Sequence, residues 1–283
     1  MMELVLTRHL WGMTRPWEHA FPEFRAQGFT AIECALPAPA ERARLRGLLD
    51  QYGFPYIAQI FTAGTSVAEH LASFRSQIRE ARELHPRFIN AHTGSDAWSM
   101  DEMRRFYDAA IVIEHEEGVP VCHETHRGRC FYSPWVTRDV LVGCPALKVC
   151  CDFSHWVCVA ERLIDSEIAI IRLCAERALH VHARVGYEEG PQVPDPRAPE
   201  YRRHLDAHER WWDLVWDVQR QLGAPAMTLT PEFGPPAYLH THPHTGEPVA
   251  DLWDICTWMG QRQAARFAAD SWRGAAVRNV TVE

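Results

Sequence analysis

The chain has 283 residues, 47% hydrophobic and 23% charged, which is ample for a large core. Its formal net charge is −8 and it has no basic run, so a nucleic-acid partner or an anionic membrane surface is not expected. None of the nine cysteines forms a C-x-x-C pair, the opening MMELVLTRHLWG carries no export signal, and no stretch is long enough to span a membrane. These features together predict a cytoplasmic protein with free thiols.

Glycine and proline punctuate the rest at even intervals. ELVLTRHL (3–10) reads as a strand, and WEHAFPEFRAQG (17–28) as a helix stopped by glycine. FTAIECAL (29–36) is strand, and AERARLRGLLDQYG (40–53) is helix, again ending in glycine. PYIAQIF (55–61) is strand, and the helix over 66–85 has Ser66 as its N-cap. RFINAHT (87–93) precedes a helix over 100–118. VPVCHETH (119–126) precedes a short helix over 133–144. ALKVCCDFSH (146–155) reads as one strand and is followed by a helix over 165–178, with Cys150 and Cys151 packed in the strand. LHVHARVG (179–186) leads into a proline-rich loop and a helix over 199–223. PAMTLTPEF (225–233) precedes the last helix, 249–269. Eight strand–helix units predict an α/β fold, a single (β/α)8 TIM barrel over 1–283. An open doubly wound sheet is the alternative, but the chain lacks both G-x-G-x-x-G after the first strand and the phosphate loop G-x-x-x-x-G-K-[ST].

In such a barrel the chemistry sits at the C-terminal ends of the strands. Ionisable residues gather there: Glu33, His92, Glu124 and His126, Asp152 with His155 after it, the row His180, His182, Arg184, and Glu232. Residues two apart on a strand share a face, so His180 lies deepest, His182 near the rim and Arg184 at the mouth. His180 reads best as a hydrogen-bonded core residue. Glu124, Asp152, His182 and Glu232 come from four successive strands and converge. Charged groups in a narrow mouth need a partner or a cation. Three carboxylates and one imidazole suit a divalent ion: Mn2+ first, with Co2+, Mg2+ or Zn2+ as alternatives.

The pieces GFTAIE, HETH, DFSH, HVHAR and TPEFG, in that order, resemble the xylose isomerase-like TIM barrels. That superfamily of sugar phosphate isomerases and epimerases includes ketose 3-epimerases, inosose dehydratases and AP endonuclease family 2. The resemblance implies a metal held by Glu124, Asp152, His182 and Glu232. It also implies substrate contact by His155, joined in our reading by His92, His126, Arg127 and Arg184. The implied activity is isomerase or epimerase chemistry, a proton moved beside a carbonyl through a metal-stabilised enediolate, with Glu124 and Glu232 as base and acid. The implied substrate is a small sugar, sugar acid or sugar phosphate. Two positions depart from the 3-epimerase pattern: Cys130 stands where a glutamate is expected, and Glu188 where an arginine is.

The main rival is a lyase of the inosose dehydratase type with the same metal set. An endonuclease would need a histidine on the third strand and a D-x-H after the seventh, and AQIFTAG and YEEGPQVPDPR supply neither. A non-catalytic sugar-binding barrel has no use for four convergent ionisable groups. The loop at 186–200 is expected to be a structured lid, and His240, His242 and His244 to lie in a loop near the mouth. RWWDLVWDVQ places Trp212 and Trp216 either in helix packing or at a homo-oligomer contact.

Overall fold

The structure, a computed structural model, describes residues 2–270 and 272–278, so the expected domain limits, 1 and 283, lie outside the described residues. Eight parallel strands close into a barrel in sequence order. They are β1 (Glu3–His9), β2 (Ala31–Ala35), β3 (Tyr56–Phe61), β4 (Phe88–His92), β5 (Val121–Glu124), β6 (Val149–Cys151), β7 (Ala178–His182) and β8 (Ala226–Thr230). The helices on the outside are α1 (Trp17–Ala26), α2 (Pro39–Tyr52), α3 (Val67–Arg82), α4 (Met100–Glu117), α5 (Pro134–Gly143), α6 (Ser154–Ala160), α7 (Ile168–Ala175), α8 (Arg202–Gln221), α9 (Leu252–Ala268) and α10 (Ala275–Arg278). With helices outside and a filled interior, the strands are buried on both faces and read as continuous apolar runs.

Local chemistry sets the boundaries. Ser66 accepts a hydrogen bond from the Glu69 amide at the start of α3, and Ser99 and Glu102 form a reciprocal capping box on α4. Gly53 and Gly118 end α2 and α4 with φ of +64° and +66°, a left-handed conformation open to glycine without strain. Helix α3 turns His70, Phe74, Ile78 and Ala81 inward, and burying one side chain the size of Phe74 contributes about 1.5–3 kcal/mol. Trp212 and Trp216 of α8 are fully buried, and Trp216 packs edge-on against Phe267 and Trp272. Of the two readings, both tryptophans belong to helix packing.

The sixth unit differs from the expected strand over 146–155. Strand β6 is only three residues long, its register slips at Val149/Cys150, and DFSH turns directly into α6. Cys150 and Cys151 are buried in that strand as expected, and all nine cysteines are free. Among the described residues no helix is long and apolar enough to cross a membrane.

Inside the barrel the strands contribute rows of residues spaced by two. Ile57, Phe88, Cys122 and Cys150 form a small apolar floor. The next residues on the same face are Gln59, Asn90, Glu124 and Asp152. Across the barrel, His180 is in register with Thr228 and His182 with Thr230. An apolar floor therefore carries two stacked polar layers beneath the mouth.

Candidate metal centre

The lower polar layer is closed on itself. His180 Nδ1 meets the Thr228 hydroxyl at 2.6 Å, and its Nε2 lies 3.1 Å from both Glu33 Oε2 and Thr230 Oγ1. Thr230 donates to Glu33 Oε2 at 2.5 Å. Both ring nitrogens of His180 are occupied, which fits the core role expected for it. Burial opposes the charge on Glu33, but the adjacent His182 and His180 hold its carboxyl well below the usual range. Glu33 thus stays ionised, with both oxygens used as acceptors.

Glu33 also orients the upper layer. Its Oε1 is 3.1 Å from His182 Nε2, so that nitrogen donates to Glu33 and His182 Nδ1 is turned toward the other carboxylates. Among the described residues this buried Nδ1 has no hydrogen-bond partner of good geometry. Facing it are Glu232 Oε2 at 3.1 Å, Glu124 Oε2 at 3.4 Å and Asp152 Oδ2 at 3.8 Å. One ligand atom from each of Glu124, Asp152, His182 and Glu232 lies within 4.8 Å of every other. Glu124 Oε1 is likewise buried and unpartnered. Asn90 Nδ2 donates to Glu124 Oε2 at 2.7 Å, and Gln59 Nε2 to Glu232 Oε1 at 2.9 Å, so two amides fix the carboxylates from below.

Arg184 closes the far side. It donates to Asp152 Oδ2 at 2.5 Å and Glu232 Oε2 at 3.2 Å, and also to Ser154 Oγ at 3.1 Å and His155 Nε2 at 2.6 Å. Asp152 Oδ1 in turn accepts from the Ser154 amide and hydroxyl at the start of α6. The tight turn after β6 thus aims Asp152 inward.

Electrostatics in this layer calls for a cation. Three carboxylates against one guanidinium leave an excess of negative charge on buried side chains. Burial works against charge on His182, yet Cys150 and then Glu232, Glu33 and Glu124 raise its pKa well above the usual imidazole range. Burial also opposes ionisation of Glu232, but His182 and Arg184 bring its carboxyl down to about 2. A divalent ion at Nδ1 would take the place of the second ring proton and offset the carboxylate charge. A carboxylate has lone pairs enough for Asp152 to hold Arg184 and an ion together. The donor set therefore fits the ion.

A family model for the xylose isomerase-like TIM barrel matches residues 21–207. The chain belongs to that family. No curated protein matches it. Among solved structures it is similar to a probable 3-DHS dehydratase from Bacillus anthracis, with 12% identity, a TM-score of 0.59 and coverage of 93% of this chain and 99% of the other. It is also similar to a 3-keto-D-glucoside 4-epimerase from E. coli, at 12% identity, a TM-score of 0.58 and coverage of 95% and 100%. A third is a xylose isomerase-like TIM barrel protein from Mycobacterium smegmatis in complex with magnesium, at 10% identity, a TM-score of 0.57 and coverage of 96% and 97%. At such identities the likeness establishes the fold.

In this xylose isomerase-like barrel a cavity of about 880 Å3 opens above the cluster. Of the five expected substrate contacts, His92, His126 and Arg184 line it, and His92 Nε2 reaches back to Glu124 Oε2 at 2.8 Å. Burial, helped by neighbouring His92, pushes the His126 pKa down to about 3. His155 is fully buried beneath His126, their ring centroids 3.8 Å apart, and its Nδ1 lacks a partner. Arg127 is exposed and lies over Tyr238 at 5.4 Å. The 186–200 loop is ordered by Gln192, which brackets Gly234 with bonds of 2.7 and 3.1 Å. His240 bonds Tyr187 across that loop, while His242 and His244 are exposed. Three functional neighbours were not expected: Gln59, Asn90 and Tyr238. Asn90 and Gln59 stand two residues before His92 and Phe61, and the strand alternation already puts each pair on one face.

Proposed function

We propose that the chain is a divalent-metal-dependent isomerase or epimerase of a sugar or sugar derivative, acting by proton transfer beside a carbonyl. The observation that carries this reading is the buried, unpartnered Nδ1 of His182 facing Glu124, Asp152 and Glu232. Three carboxylates and one imidazole suit Mn2+ best, with Co2+, Mg2+ and Zn2+ as alternatives. When bound, such an ion supplies Lewis-acid polarisation of a carbonyl oxygen. Glu232 lines the cavity and stays ionised at neutral pH, so it is the group that accepts the proton from the adjacent carbon. Glu124 does not line the cavity; it reaches the substrate through His92, which touches both. Arg184 keeps Asp152 and Glu232 apart and oriented.

One observation favours a lyase as the second reading. Arg129 lines the cavity, donates to the Thr62 and Gly94 carbonyls, and has no carboxylate partner among the described residues. Such a guanidinium suits a substrate carboxylate, whose α-proton the same glutamate could remove before a hydroxyl leaves. The test is to incubate the metal-loaded protein in deuterated water with a panel of keto-sugars, aldo-sugars and their acids. Deuterium entering beside the carbonyl, and lost in Glu232→Gln, supports the isomerase. Formation of an unsaturated product identifies the lyase. No exchange with any member by a protein that holds its metal counts against both.

A further inference from the structure

The cavity is larger than one sugar ring needs. Its volume of about 880 Å3 lies toward the top of the ~300–1,000 Å3 range that buries drug-sized ligands. From Glu232 and Arg184 it continues into an arm between the loops after β1 and β2, walled by Trp11, Met13, Trp17, Leu36 and Phe61. Trp11 and Phe61 keep 37% and 40% of their surface uncovered there.

Trp11 is held in place from several sides. Its ring meets Tyr238 edge-on at 5.0 Å, and Tyr238 in turn lies 5.0 Å from the Arg184 guanidinium. The ring rests on Gly234, two residues past Glu232, where an added Cβ would come within 2.1 Å of it. Gly12 takes a φ of +74° and tucks against Pro235, where a Cβ would sit at 2.8 Å. Two glycines and the Gln192 clasp therefore make room for one indole beside the carboxylate cluster.

The arm's charges are already spent. Arg44 is held by both oxygens of Glu18 at 2.6 Å, and its guanidinium covers Trp17 at 4.9 Å. Arg15 pairs with Glu23 at 2.7 Å and covers Trp253 at 4.1 Å. Few free donors remain to greet a hydroxyl-rich group, whereas an aromatic ring would find apolar walls and the partly exposed rings of Trp11 and Phe61.

We infer that this arm is a subsite for an aromatic ring, and that the substrate is an aryl-substituted sugar derivative with its reacting carbon over the carboxylate cluster. The inference rests on the metal-centre reading, which anchors the other end of the substrate. The experiment uses the full chain loaded with Mn2+ and titrates it by calorimetry with acetohydroxamate, benzohydroxamate and 4-phenylbenzohydroxamate. The hydroxamate grips the ion and the rings extend toward the arm. Affinity is expected to rise about tenfold or more along the series. That gain should vanish in Trp11→Ala and shrink in Phe61→Ala, while acetohydroxamate binds all three proteins alike and so reports an intact centre. Equal affinities across the series, or a gain that survives both substitutions, would overturn the subsite and leave the metal centre standing. No binding of any of the three would overturn the metal-centre reading and the subsite with it.

Discussion

Two polar layers lie one above the other inside the barrel, each built around a histidine of β7, His180 in the lower and His182 in the upper. In the lower, His180 has a partner for each ring nitrogen and Glu33 for each oxygen. In the upper, His182 Nδ1 has only ion-pair contacts, and neither it nor Glu124 Oε1 has a hydrogen-bond partner among the described residues. Both layers are buried, so exposure does not explain the difference. What differs is the facing group: His180 meets threonine hydroxyls and one carboxylate, whereas His182 meets a fan of three carboxylates. Hydroxyls can donate or accept and so complete a network. Carboxylates only accept, and a ring of acceptors needs a cation at its centre.

The largest break in that comparison comes from removing the ion. Stripping the protein with a chelator is expected to cut solvent-proton exchange into substrate by about 10^2–10^3-fold or more, with activity returning when Mn2+ is restored. Exchange followed by NMR on the stripped and restored protein checks this. Next is His180→Leu, which leaves Glu33 buried with one partner fewer; a loss of about 3–5 kcal/mol in urea unfolding is expected. A cost below about 1 kcal/mol would mean that the lower network holds little. Glu33→Gln is milder. It keeps the shape but weakens the orientation of His182, and Mn2+ affinity should fall about 10–100-fold in a competition titration.

The smallest effect concerns another buried histidine, one hydrogen-bonded to backbone groups. His208 donates from Nδ1 to the His204 carbonyl at 2.8 Å and accepts from the Gly186 amide at 3.2 Å. Burial, partly offset by the His204 carbonyl, lowers its pKa from 6.5 to about 3. The folded state therefore keeps His208 neutral while the unfolded chain protonates it first. Its contribution is present above pH 6.5 and is lost as pH falls toward 3. In His208→Asn the fall of unfolding free energy with pH in that window should flatten by about 1.4 kcal/mol per unit. An unchanged slope would show that His208 is not the group that titrates.

Much of this was legible before the structure. The strand–helix alternation carried the barrel because most strands are largely apolar stretches set off by glycine or proline. Strand alternation carried the row His180, His182, Arg184. The sixth unit was not legible: α6 has seven residues, too few to display a helical period, so DFSH read as strand. Arg184 was placed at the mouth, but its grip on Asp152 and Glu232 depends on the turn at Ser154, which is tertiary. Glu33 was noticed only as a strand end. Its bond to His182 spans 149 residues of sequence, and the one local hint is a lone charge in the apolar stretch TAIECA. Trp11 gave no sign at all, because its role depends on a glycine more than two hundred residues away.

The central claim is that Glu124, Asp152, His182 and Glu232 hold one divalent ion. Equilibrium dialysis against Mn2+, Co2+, Mg2+ and Zn2+ in turn, with metal counted by mass spectrometry, tests it most directly. The account predicts roughly one ion per chain for at least one metal, lost or strongly weakened in Glu232→Gln. No uptake of any of the four, or uptake that the substitution leaves unchanged, would contradict it.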